Sequence, residues 1–328
     1  MSSVSGGSIV GAYLCLKWPE LRWDNGRAAN LDEMVISPLR RLCRRDIDTL
    51  PTGLNAIVSL WGGSHSLLAS AYRTHLFSDA RLKDLPESPR CLILGSNLQT
   101  GAPVAFDRTG LTESRLGRYA NDSIPISVAC AVSSAYAPYL SPVVLRTNSN
   151  KWSSCKGADL PDNSKLRARL VLTDGGMHDP LAILPVWGEC DTLLVSDASQ
   201  VRAIWRTGSF WLRQLARTTL VQTFGNSGLT RSILSEIIKR DIDGLPRGAH
   251  WSSDDKMALY KTNDKALVDS PSTHALASMR TRLAPFSEGE QAALINWGYA
   301  LCDAAMRERF GLANEPQAKL PLGSRDAQ

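Results

Sequence analysis

The chain has 328 residues, 43% hydrophobic and 21% charged, a balance typical of soluble globular proteins that excludes a chain dominated by disorder. Its 37 basic and 32 acidic side chains leave a net charge of +5, too mild to demand nucleic acid or a membrane surface. Seven cysteines, an odd number without a C-x-x-C pair, fit free, mostly buried thiols in a reducing compartment better than a disulfide framework or a zinc site.

In chain order, the opening "MSSVSGGSIVGAYL" sets a small-residue turn at Ser5 before an apolar helix that runs to about Lys17. A second helix is predicted from Asp32 to Arg45, its basic run Arg40-Arg41-Leu42-Cys43-Arg44-Arg45 forming a solvated face and a favourable C-terminal end. Leu54 to Phe77 reads as helix broken at Gly62-Gly63. "CLILGSNL" (Cys91 to Leu98) is a continuous apolar run expected to be a strand buried on both faces, with "PVAFD" as its hairpin partner across Gly101. Ile124 to Ala137 reads as a small-residue helix, and "ARLVLTDGG" (Ala168 to Gly176) as a strand ending in a glycine turn. "DTLLVSDAS" (Asp191 to Ser199) is a further buried strand, Ser209 to Asp241 is mostly helical, and "GAHWSSDD" is a late strand. The last helix opens on the capping box Ser287-Glu288-Gly289-Glu290 and runs to about Phe310. Strands alternating with helices predict an α/β layered fold with a largely parallel sheet, in one domain over 1–313 followed by a disordered tail over 314–328.

No apolar run reaches the roughly 18 residues that span a bilayer, and no charged leader precedes an apolar core. Together with the cysteine usage this predicts a cytoplasmic or peripheral-membrane protein rather than a secreted one.

Three features carry candidate chemistry. Ser3-Val4-Ser5-Gly6-Gly7 approximates the elbow pattern G-x-S-x-G, in which small neighbours let a strand turn sharply into a helix and expose a serine. Thr173-Asp174-Gly175-Gly176 places a carboxylate at a strand end, where it serves either as a general base or as an ordinary turn. "AVSSAYAPYLSPV" (Ala131 to Val143) is a run of small residues suited to tight packing under a sheet.

In this order the three features, with the "ILGSNLQTGAPVAFD" hairpin, resemble the patatin-like acyl hydrolases, the family related to the catalytic domain of cytosolic phospholipase A. The resemblance covers roughly the first 200 residues. It implies a three-layer α/β fold with a largely parallel central sheet, and a serine acyl hydrolase that turns over lipid esters through an acyl-enzyme. Ser5 would be the nucleophile and Asp174 the base, with Gly6, Gly7 and Ser3 shaping the elbow and Gly175 and Gly176 the turn at the base. The family's glycine-rich oxyanion loop, and the first strand that carries it, have no counterpart in Met1 to Val4, so a member truncated before the elbow is expected. The resemblance implies no metal or organic cofactor. The expected partners are an acyl lipid or ester substrate and a peripheral membrane surface, without nucleic acid. An aspartate titrating near 4 is a poor base at neutral pH, so burial or strong oxyanion stabilisation has to make up the deficit. His178, four residues past Asp174, offers the rival Ser-His-Asp arrangement or else a surface turn. Competing readings are a lipid-binding scaffold that keeps the fold without turnover, and a soluble hydrolase of small esters.

Overall fold

The computed structural model describes residues 1–47, 64–137, 140–199, 211–240, 244–262, 265–280, 283–312, 316 and 318–323. Gly62, Gly63 and the greater part of the tail from Asn314 lie outside them. The chain divides into two compact units, the first comprising Met1–Leu42, Asp46–Leu184 and Ala216–Thr219, the second Cys43–Arg45, Pro185–Leu215 and Leu220–Gln328.

The first unit is built on an eight-stranded sheet. A two-residue strand β1 (Ser2–Ser3) leads into α1 (Gly6–Lys17). A small hairpin, β2 (Trp23–Asp24) and β3 (Arg27–Ala28), stands apart from the main sheet. It is followed by a π-helical turn, Asp32–Ile36, which continues as α2 (Ser37–Cys43), and by α3 (Ser64–Tyr72). Four strands then follow one another: β4 (Leu92–Asn97), β5 (Ala102–Asp107), β6 (Gly110–Glu113) and β7 (Gly117–Ala120). Next come α4 (Ile126–Ser133), β8 (Val143–Arg146), β9 (Trp152–Ser153), α5 (Ser164–Ala168) and β10 (Arg169–Asp174). The sheet order is β8-β10-β4-β5-β6-β7-β9, with β1 beside β4. Every pairing is antiparallel except β1 with β4.

This corrects the predicted sheet. Strands alternating with helices predict a largely parallel sheet, yet the central sheet is antiparallel and curled into a half-barrel. The physical reason lies in the connections from β4 to β7, which are only two to four residues long. Parallel neighbours need a crossover of a dozen or more residues, so these strands have no choice but to fold back as hairpins. Gly101, at φ 70°, makes the first of those turns, and its N–H donates to the Asn97 carbonyl at 2.9 Å. The three-layer patatin-like arrangement implied by the resemblance is overturned with the parallel sheet.

β4 is buried along its whole length, as its continuous apolar run predicts. Glu113, fully buried at the end of β6, knots the hairpins together. Its carboxylate accepts from Asn97 Nδ2 at 3.2 Å, from the Arg115 and Leu116 N–H groups at 2.8 and 2.5 Å, and from the Thr100 hydroxyl. A buried carboxylate is tolerable only when donors surround it in this way.

The second unit pairs β11 (Thr192–Asp197) and β12 (Arg247–Ser252) in parallel, and contains all of α6 (Trp211–Arg240) but Ala216–Thr219, together with α7 (Pro271–Leu276) and α8 (Glu288–Phe310). Burial along β11 alternates residue by residue, so this strand has one covered face rather than the two predicted. The capping box at the head of α8 forms as its sequence predicts, with Ser287 and Glu290 satisfying each other's amides. Trp297, Ala300, Leu301, Ala304 and Ala305 recur at helical spacing on one face of α8 and pack against Ala249, Met257 and Tyr260. The Trp297 indole N–H is satisfied by the Ser253 carbonyl at 3.1 Å.

Candidate functional site

Ser5 and Asp174 meet because of how β4 shares one edge. β1 pairs with the first half of that edge, Ser2 opposite Leu92 and Ser3 opposite Ile93. β10 pairs with the second half, Leu172 opposite Asn97, Thr173 opposite Ser96 and Asp174 opposite Gly95. The two strands run towards each other along β4, so the end of β1 and the end of β10 arrive at the same place. Asp174 is the last residue of β10, and Ser5 is the turn between β1 and α1.

Close packing at this junction explains the glycines. A Cβ on Gly175 would lie 2.6 Å from the Leu94 carbonyl oxygen and 2.8 Å from Val4 Cγ2. A Cβ on Gly95 would lie 2.7 Å from Val132 Cγ1 on α4. Gly176 contributes a donor instead, its N–H bonding Asp174 Oδ1 at 2.7 Å.

The Ser5 backbone sits at φ 53°, ψ −132°, a region that non-glycine residues rarely adopt and that costs about 1–3 kcal/mol. Three bonds hold it there. Its N–H donates to Ser133 Oγ at 3.0 Å, and its carbonyl accepts from the Ser8 N–H at 3.0 Å and the Ser8 hydroxyl at 2.6 Å. Gly6 and Gly7, exposed, with open space where side chains would stand, form the first turn of α1, whose amides have no intrahelical partner. Ser3, expected as part of the elbow, is a buried sheet residue whose hydroxyl donates to the Leu92 carbonyl at 3.1 Å.

Asp174 is 4% exposed. Burial pushes its carboxyl up to about 6, against the opposing pull of the Gly176 N–H and of the Ser5 side chain that faces it. Its N–H and the Thr173 hydroxyl both bond the Ala135 carbonyl, at 3.1 and 2.9 Å. The sequence singles out Ser5, Asp174 and the glycines, but not the hydroxyl cluster on the neighbouring α4. Ser133 holds the Ser5 turn, and Ser134 shares a 3.0 Å hydrogen bond with buried Tyr72, whose hydroxyl is raised above the tyrosine range by burial. The signal for this cluster is the pair of serines in "AVSS", whose small size points only to packing when the sequence is read alone.

His178 lies in an exposed turn beyond the glycines, the surface position considered for it. A buried ionic cluster lies in the second unit. Burial raises the Asp197 carboxyl, but His250, Arg231 and Ser199 outweigh that and draw it well below the usual carboxylate range. Among the described residues no group of three or more histidine, cysteine or acidic side chains is arranged to hold a metal, and no helix is long and apolar enough to cross a membrane.

No family model matches this chain, and no curated protein matches it. With the antiparallel half-barrel, this corrects the resemblance to the patatin-like hydrolases and the functions it implied: serine esterase, phospholipase and lipid turnover, and equally a patatin-fold lipid scaffold. Ser5 occupies a strained strand-to-helix turn, but the sheet around it is not that of the patatin elbow. No oxyanion loop faces it among the described residues. The acyl-enzyme mechanism therefore has no support from the fold.

Proposed function

We propose that Ser5, Asp174 and the first-turn amides of α1 form a proton-linked binding site for a small ligand that carries a carboxylate or carbonyl oxygen. The observation that carries this reading is Asp174, a buried carboxyl lifted to about 6 beside the N-terminus of a twelve-residue helix. The Gly6 and Gly7 amides and the positive end of the helix dipole favour a negatively polarised oxygen. The Ser5 hydroxyl adds a donor. Asp174 Oδ1 is occupied by the Gly176 N–H, which leaves Oδ2 to carry the proton. Protonated, Asp174 donates to Ser5 Oγ and frees the Ser5 hydroxyl proton for the ligand; ionised, it claims that proton and repels an anion. Affinity for a carboxylate accordingly falls as pH rises through about 6.

Acetate is the probe. Titrated at about pH 5.5 and about pH 7.5, it is expected to shift the Gly6 and Gly7 amide resonances, with affinity on the order of tenfold weaker at the higher pH. Asp174→Asn, which keeps a donor at every pH, abolishes the pH dependence, and Ser5→Ala weakens binding at both. Gly6 and Gly7 amides that stay still at both pH values, or binding equally strong at both, would overturn the proposal.

A further inference from the structure

Cys15 lies in the last turn of α1, and Cys91 immediately precedes β4. Cys15 is fully buried and Cys91 is 2% exposed. The two thiols are close enough for each to perturb the other's ionisation. Met1 brings a second contact to the same place: its Sδ lies 3.9 Å from Cys15 Sγ, and its carbonyl accepts from the N–H of Leu92, the residue after Cys91, at 2.9 Å. The parallel pairing of β1 with β4 thus clamps both cysteines around one spot.

We propose that Cys15 and Cys91 are a redox pair that closes to an intramolecular disulfide and ties α1 to the head of β4. Cys91 lowers the pKa of Cys15 against the opposing effect of burial, as expected where an S–H can donate to a neighbouring thiolate. The proposal assigns the first attack to Cys15 and the resolving step to Cys91.

The oxidant is a peroxide, hydrogen peroxide in the test below, small enough to enter during local opening. The Cys15 thiolate attacks one peroxide oxygen, the O–O bond breaks, and the leaving hydroxide takes a proton to become water. The Cys91 sulfur then attacks the sulfur of the resulting sulfenic acid. The S–O bond breaks, and the hydroxyl departs with the Cys91 proton as a second water. Two thiols are oxidised by two electrons and one peroxide is reduced. The third buried thiol nearby, Cys130, donates to the Ser8 carbonyl at 3.6 Å, and burial pushes it above the ordinary thiol range, so it remains reduced.

The test uses the full chain with the two exposed cysteines removed as Cys43→Ser and Cys190→Ser. After graded hydrogen peroxide and alkylation of the remaining thiols, peptide mass mapping is expected to find a dithiothreitol-reversible link between Cys15 and Cys91, with Cys130 alkylated. The same link is expected in the unsubstituted chain equilibrated in glutathione buffers from reducing to oxidising, which needs no substitution to fold. Cys15 and Cys91 alkylated separately across both series, or a link from either to Cys130, would overturn the proposal.

Discussion

Asp174→Asn keeps the shape of the side chain and its bond from the Gly176 N–H while removing a charge that the fold buries. The folded carboxyl titrates at about 6 against an ordinary value of 3.8. The folded state therefore holds this proton more tightly than the unfolded state does. The stability contributed by the neutral carboxyl is fully present below about pH 4 and is lost as pH rises through about 6. At roughly 1.4 kcal/mol per pH unit the loss totals about 3 kcal/mol, and asparagine escapes it. Urea unfolding followed by the nine tryptophans, at intervals between about pH 4 and about pH 7.5, measures the difference between variant and wild type. Other titrating groups are common to both chains and cancel. The difference is expected to grow in favour of Asp174→Asn by about 3 kcal/mol across the window and to stay flat above it. Parallel curves would refute the reasoning, because they would mean that Asp174 is as well solvated in the folded chain as in the unfolded one.

Gly175→Ala sets a Cβ against the Leu94 carbonyl and Val4, and is expected to cost about 1–3 kcal/mol in the same unfolding assay; a neutral result would show that the junction yields. Glu113→Ala strands four donors, two of them buried, and is expected to cost ~3–5 kcal/mol, while Glu113→Gln, which still accepts, costs clearly less; equal losses would mean that the donors find water. In the second unit, Arg231→Met removes a partner of buried Asp197. The lowered Asp197 carboxyl contributes stability at neutral pH that is lost only as pH falls below about 4, so the variant is expected to be weaker at neutral pH and to lose less between about pH 5 and about pH 2. Unfolding midpoints over that range check both.

What is legible in the sequence is local. The apolar run at Cys91–Leu98, the Gly101 turn and the Ser287–Glu290 box each carry their structure in a few adjacent residues. The long helices α6 and α8 are visible for the same reason. The direction of the central strands escapes a reading based on helix-strand alternation, although the short connections from β4 to β7 contain it; weighing connection length against alternation corrects the sheet. β1 is two residues long and has no periodicity to read. Its place beside β4, and the way it shares that edge with β10, are long-range facts that no window of sequence encodes. Ser5 and Asp174 each stand out as chemically apt, but only the shared edge explains why they face one another. The family resemblance takes their order along the chain as a sign of a particular fold, and an antiparallel sheet serves equally well to bring two chain ends together.

The shared edge of β4 also sets an order in time. On the ribosome β1 emerges well before β4 and lacks its partner strand until Leu92 and Ile93 follow. Asp174 comes about 170 residues after Ser5, which at about 5–20 residues per second is a wait of roughly 10 to 30 s. From the synthesis of β4 onward, Ser5 belongs to a growing chain whose receiving edge is half built. The junction is thus closed by the arrival of β10, and a pause in synthesis anywhere between β4 and β10 leaves an open strand edge for other chains to find.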